Sequence, residues 1–223
     1  MNFSFKDYVA MFRSRGWYLP YKYFFENHLF DIKRGIDTHQ SLQKNHFEYV
    51  SNLEHGVHYA CSWESTIKKS FLKLKNILND NVDDFCFIDV GCGKGKVPIV
   101  WKELAVRHNH SFDICGIDYS YSLIKIAISN YTKLFKEKNV FVCSDITKVD
   151  FNSFAKNKFV FYLYNPFDEK LLVKFLKKIK DLEVYIIYVY PIHHSLLEKN
   201  FFKLQSSNIG RHPNENFSIY LNK

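Results

Sequence analysis

From Asp84 onward the chain alternates short, almost wholly apolar runs with longer amphipathic segments, and few folds accept that alternation. FCFIDV (85–90), FDICGID (112–118), NVFVCSD (139–145), KFVFYLYN (158–165) and EVYIIYVY (183–190) have the length and the β-branched or aromatic character of strands. A run that is apolar at nearly every position reads as a parallel strand covered on both faces of its sheet. Segments with helical periodicity lie between these runs, near 96–107, 121–136 and 168–180. The expected fold class is therefore α/β, a doubly wound, mostly parallel seven-stranded sheet. The last two strands would be FFKLQ (201–205) and NFSIYLN (216–222). No long helix separates them, so an antiparallel C-terminal hairpin is expected. Residues 1–80 read instead as helices and loops, an N-terminal helical extension or cap on a domain spanning 81–223. There, STIKKSFLKLKNIL (65–78) places Ile67, Phe71, Leu74 and Leu78 on one helix face and offers Ser65 as its start.

Composition narrows the class further. With 22 Phe, 15 Tyr and 47% hydrophobic residues, the chain has ample material for a packed core. A formal net charge of +8 invites polyanions. The lysines are nevertheless spread along the chain, and the densest run, Lys174, Lys177, Lys178 and Lys180, falls where a helix should face solvent. Nucleic acid thus stays open as a partner without being favoured. Cys61, Cys86, Cys92, Cys115 and Cys143 stand singly, with no CxxC pair, which points to a reducing compartment. Cys86, Cys115 and Cys143 sit inside apolar runs and are expected to be small buried hydrophobes. The first 25 residues carry charges throughout, so neither a signal peptide nor a membrane span is indicated, and a cytoplasmic location is expected.

The chemistry concentrates in FIDVGCGKGKVPIV, where an apolar strand ends at Asp89-Val90 and runs through Gly91, Gly93 and Gly95 into a helix. Glycines there allow turn conformations closed to other residues and let a ligand approach the backbone. Dinucleotide sites need GxGxxG, whose third Gly packs the helix tightly, and position 96 here is Lys. A phosphate-gripping GxxxxGK[ST] loop is absent. GxGxG after an acidic strand end suits a cofactor that lacks phosphate and carries a charged amino-acid end, which is S-adenosylmethionine (SAM). A second strand ends at Asp118, whose carboxylate could accept both ribose hydroxyls. A third run ends at Asp145, placed to accept a proton from the adenine amino group.

The succession FIDVGCGKGK, GIDYS, CSDIT and FYLYNPF resembles motifs I to IV of class I, Rossmann-like SAM-dependent methyltransferases. FDIKRGIDT (30–38), HYACSW (58–63) and VYIIYVYP (184–191) resemble segments of a bacterial group of such enzymes with mostly unassigned acceptors. The resemblance implies cofactor contacts from Asp89, Gly91, Gly93, Gly95, Asp118, Tyr119, Asp145 and Ile146, with Tyr59 in a segment that closes over the cofactor. Amino-methylating relatives carry [DN]PP[YF] after the fourth strand, where the Asn oxygen and a Pro carbonyl hold the target amine and the aromatic ring stacks on it. Here Asn165, Pro166 and Phe167 stand there with a single Pro, so acceptor contact and a plain strand-ending turn both remain open. Cys92, Lys96 and Pro98 depart from the usual pattern and discourage transfer of any particular substrate.

The resemblance implies transfer of a methyl group from SAM to an amine of a protein or metabolite, a sugar hydroxyl or a nucleobase. Two other classes stay open: a catalytically silent protein of this fold that binds nucleic acid or protein, and, against the Lys at 96, an NAD-dependent oxidoreductase. No metal is expected, since His55 and His58 lack a third ligand nearby. His193 and His194, after the fifth strand, are candidates for a base at the acceptor rim.

Overall fold

A computed structural model describes residues 5–39, 60–137 and 139–222. Seven strands form one sheet: β1 (Cys86–Val90), β2 (Asp113–Asp118), β3 (Phe141–Cys143), β4 (Lys158–Tyr164), β5 (Glu183–Val189), β6 (Lys203–Asn208) and β7 (Phe217–Leu221). Their order is β3-β2-β1-β4-β5-β7-β6. The first five pair in parallel, while β7 runs antiparallel to both β5 and β6. The doubly wound sheet and its antiparallel C-terminal hairpin are as expected.

The apolar runs divide between the two faces because successive strand residues point to opposite sides. Phe87, Val160, Tyr162 and Ile187 join one core with Phe71, Leu74 and Trp101. Their neighbours Ile88, Phe159, Phe161 and Ile186 join the other, with Leu172, Phe175 and Ile179. The first core is closed by α4 (Glu64–Leu78), α5 (Lys96–His108) and α6 (Tyr121–Phe135), and the second by α7 (Glu169–Ile179) and α8 (His194–Lys199). Local signals start two of these helices. The Ser120 hydroxyl accepts from the Leu123 N–H, and Asp168 Oδ1 from the Leu171 N–H, each satisfying a donor the helix leaves open. Lys174, Lys177, Lys178 and Lys180 are exposed, as a solvated face requires.

Three expectations need correction. Helix α4 begins at Glu64, not at Ser65, and has no side-chain cap. Trp63, 1% exposed, is buried just ahead of it, and the Ser65 N–H is satisfied instead by Glu26 Oε2 at 2.9 Å. Strand β3 is short and lies at the sheet edge, so Cys143 is exposed instead of buried, because no described residue covers the outer side of the edge strand there. Strand β6 starts at Lys203, two residues later than expected; Phe201 before it has a left-handed φ of 68° and is exposed.

Toward the N-terminus, α1 (Phe5–Arg15), α2 (Tyr18–Tyr23), a π-turn over Phe24–His28 and α3 (Leu29–Arg34) follow in close succession. No helix among the described residues is long and apolar enough to cross a membrane.

Candidate functional site

Strand order reverses between β1 and β4, since β2 and β3 continue on one side of β1 and β5 on the far side of β4. In such sheets the carboxyl ends of the strands on either side of that reversal leave a crevice. Here it holds a cavity of about 230 Å³, lined by Asp89, Gly91, Asp118 and Tyr119 on one side and by Tyr164, Asn165 and Pro166 on the other. A smaller one of about 50 Å³ shares Gly91, Asp118, Tyr119 and Pro166 with it and extends past Asp145, Ile146 and Phe167.

The glycine turn is held by β2. Gly91 and Cys92 both donate to the Ile117 carbonyl, at 2.8 and 3.0 Å. The Gly93 N–H donates to Asp118 Oδ2 at 2.9 Å, while Asp118 Oδ1 accepts from the Ser120 N–H at 2.8 Å. Gly91, Gly93 and Gly95 all have left-handed backbone, φ 74°, 52° and 84°, which L side chains rarely adopt. At Gly91 a Cβ would stand 3.1 Å from Pro166, so the β1 turn and the β4 end touch. Gly95 caps α5 and packs under Phe141 and Ala127, outside the cavity lining.

Burial raises the Asp118 carboxyl to about 6, against the opposing pull of the N–H groups of Ser120, Gly93 and Tyr119. Burial, and then the charge of Asp118, push Asp89 well above the ordinary carboxylate range. Unlike Asp118, the Asp89 carboxylate accepts no hydrogen bond from any described residue. Asp145 lies two residues past β3, and its Oδ1 accepts from the Thr147 N–H at 2.9 Å and the Thr147 hydroxyl at 2.8 Å. Phe167 is buried and packs against Phe175, with ring centroids 5.8 Å apart.

Asn165 is buried with a left-handed φ of 42°, and its Oδ1 accepts from the Tyr188 hydroxyl at 3.1 Å. The Asn oxygen, expected to hold an acceptor amine, therefore already has a partner. His193 and His194 do not line either cavity; His193 Nδ1 lies 3.4 Å from Glu169. Tyr59, His55 and His58 lie outside the described residues.

Ser62, Tyr164 and Tyr190 line the cavity from within HYACSW, FYLYNPF and VYIIYVYP although none was singled out there, and Asn214 lines it from outside every motif. Lys96 also lines the cavity; its buried Nζ donates to the Glu26 carbonyl at 2.5 Å and Asn27 Oδ1 at 2.9 Å and stands over the Phe30 ring. Lys94, 1% exposed, pairs with Asp37 Oδ2 at 2.6 Å. Asn130 on α6 binds the same segment, donating to the Asp37 and Lys94 carbonyls. Arg34 grips Glu103 on α5 with two nitrogens and Glu64 with a third bond. The two lysines of GCGKGK thus fasten the N-terminal helices to the glycine turn. A lysine directly after each of the last two glycines is the one trace of this in the sequence.

A family model described as a methyltransferase domain matches residues 81–202. No curated protein matches the sequence. Among solved structures, one of a protein from Pyrococcus horikoshii OT3 is 15% identical over 71% of this chain and 90% of its own, with a TM-score of 0.51, and shares the fold. A SAM-dependent methyltransferase from Aquifex aeolicus is 16% identical over 71% of this chain and 97% of its own, with a TM-score of 0.48.

Proposed function

The chain belongs to the methyltransferase-domain family, and on that premise we propose that it binds SAM across the carboxyl ends of β1 to β3 and transfers the methyl group to an acceptor held at the end of β4. One observation carries this reading. Asp89 is a buried carboxylate that faces a cavity and accepts no hydrogen bond from the described residues. An isolated buried charge is costly, and a cationic ligand group beside it removes the cost. The ammonium of a bound amino-acid moiety is such a group. Asp118 accepts from the N–H groups of Gly93 and Ser120, with the Tyr119 N–H also drawn to it, and a carboxylate with about four acceptor sites keeps capacity for a ribose hydroxyl. Tyr119, Asp145 and Ile146 border the adjoining cavity, which suits an adenine edge. Lys96 supports SAM over a dinucleotide, since a long side chain fills the place where a third Gly would bring helix and sheet together.

The chemistry asked of the protein is modest. SAM supplies an activated methyl group, and the chain aligns the acceptor with it and keeps water out. Asn165 and Pro166 border the acceptor end, and Phe167 supports them from the core. Residues 1–80 act as a cap on the domain over 81–223, joined to it through Lys94, Lys96 and Arg34.

Asp89→Asn tests the reading with two opposed outcomes. Removing an acid that must either hold a proton or bury an unpaired charge should raise the melting temperature of the ligand-free protein. The same change should weaken binding of S-adenosylhomocysteine by about 1.5–3 kcal/mol, the worth of a hydrogen bond to a charged group. A folded variant whose affinity is unchanged removes Asp89 from the site.

A further inference from the structure

The Asn165 carboxamide is held in one orientation from behind. Tyr188 on β5, 1% exposed, donates its hydroxyl to Asn165 Oδ1 at 3.1 Å. The same phenolic oxygen receives the backbone N–H of His193. A hydroxyl has a single proton, and with its oxygen serving His193, that proton is directed to Asn165. An amide whose oxygen faces Tyr188 must turn its NH₂ elsewhere, and no described group accepts from it. Asn165 lines the larger cavity, so this NH₂ is the polar group it can offer an acceptor.

The surroundings have the same character. Tyr164 and Cys61 line that cavity, and burial raises both their pKa values, so each stays protonated. Lys96 adds a positive charge. Among the described lining residues there is no histidine, and the carboxylates are Asp89 and Asp118 at the β1 and β2 ends. A hydroxyl or a protonated amine would have to give up a proton before attacking, and among the described residues no base faces it at the β4 end. A carboxylate is already ionised at neutral pH and accepts hydrogen bonds without donating any.

We propose that the methyl acceptor is a carboxylate, bound by the Asn165 NH₂, with Tyr188 as the positioning residue that fixes the amide. The proposal rests on the methyl-transfer reading above. A lone pair on one carboxylate oxygen forms the new bond to the methyl carbon while the carbon–sulfur bond breaks and its electron pair passes to sulfur. The products are a methyl ester and S-adenosylhomocysteine. No proton moves, and the negative carboxylate and positive sulfonium charges cancel, which suits a lining whose described residues offer no base at the β4 end.

The test uses the full chain, methyl-labelled SAM, and the small-molecule and protein fractions of a cell extract, each assayed separately. Mild alkali should release the transferred label as methanol, as it does from methyl esters and not from N-methyl or ether groups. The fraction that carries the label tells a small acid from a protein carboxylate. Alkali-stable label overturns the proposal, as does absence of transfer by protein that binds S-adenosylhomocysteine; failure to bind that ligand overturns the reading beneath it. Asn165→Asp should cut ester formation roughly 10- to 100-fold by setting like charges together, with S-adenosylhomocysteine affinity within about twofold of wild type. Tyr188→Phe should raise the KM for the acid acceptor several-fold while S-adenosylhomocysteine affinity stays within about twofold of wild type, a split that a merely structural role would not produce. Ester formation undiminished in Asn165→Asp contradicts the proposal.

Discussion

Asp118 holds the glycine turn and the Ser120 N–H just ahead of α6 with the same carboxylate, and its ionisation reports on both tasks. Burial raises its folded pKa from 3.8 to about 6. A raised carboxyl pKa means that the folded state keeps a proton the unfolded state has released. This contribution to stability is therefore present below about pH 4, is lost as pH rises to about 6, and is level beyond. In ligand-free protein, Asp118→Asn should remove that slope from a plot of melting temperature against pH. Binding of an ammonium nearby favours the ionised acids, so SAM affinity should rise across the same window with release of protons. Calorimetry near pH 6 in two buffers of different ionisation heat measures the proton count, and proton uptake would contradict the assignment. At this scale Asp89 and Asp118 were legible because each closes an apolar run beside the glycine turn. The Tyr188–Asn165 bond was not, since it joins two strands through side chains that each read as ordinary strand-end residues.

The parallel strands were legible because burial on both faces leaves an uninterrupted apolar run, and that pattern failed only where the burial did. In β3, Phe141 is buried while Val142 and Cys143 are exposed at the edge. The start of α4 was misplaced because Ser65 looks like a cap, whereas buried Trp63 and the Glu26 carboxylate determine the chain's path there. The docking of α1 to α3 was illegible, because Lys94 and Lys96 reach partners 57 to 70 residues away. These ties have a measurable consequence. Lys96→Met keeps the apolar stem and loses the bonds to Glu26 and Asn27, leaving both acceptors short of a donor, at a cost of about 1–3 kcal/mol. Amide hydrogen exchange over Tyr18–Arg34 should accelerate while exchange in β1 and β4 stays slow. Equal protection in wild type and variant would mean that Lys96 does not fasten the cap.

Across the whole molecule, the sheet order places one crevice between the β1 and β4 ends, and the cavities found there are bordered by Asp89, Asp118, Asp145 and Asn165, drawn from four separate motifs. A ligand spanning them binds only the folded chain and so stabilises it, by about 2.7 kcal/mol at a hundred times its dissociation constant. The net charge of +8 adds a long-range attraction for anions that is screened by salt, and a binding assay at physiological ionic strength keeps it small. The most direct test of the account is a calorimetric titration of the purified chain with SAM, S-adenosylhomocysteine and NAD. Gly93→Val is titrated in parallel, since a branched side chain at φ 52° strains the turn and disturbs the N–H that Asp118 holds. The account predicts binding of SAM and S-adenosylhomocysteine by wild type, none of NAD, and loss of both adenosyl ligands in the folded variant. Binding of NAD in place of SAM, or undiminished SAM affinity in Gly93→Val, would contradict it.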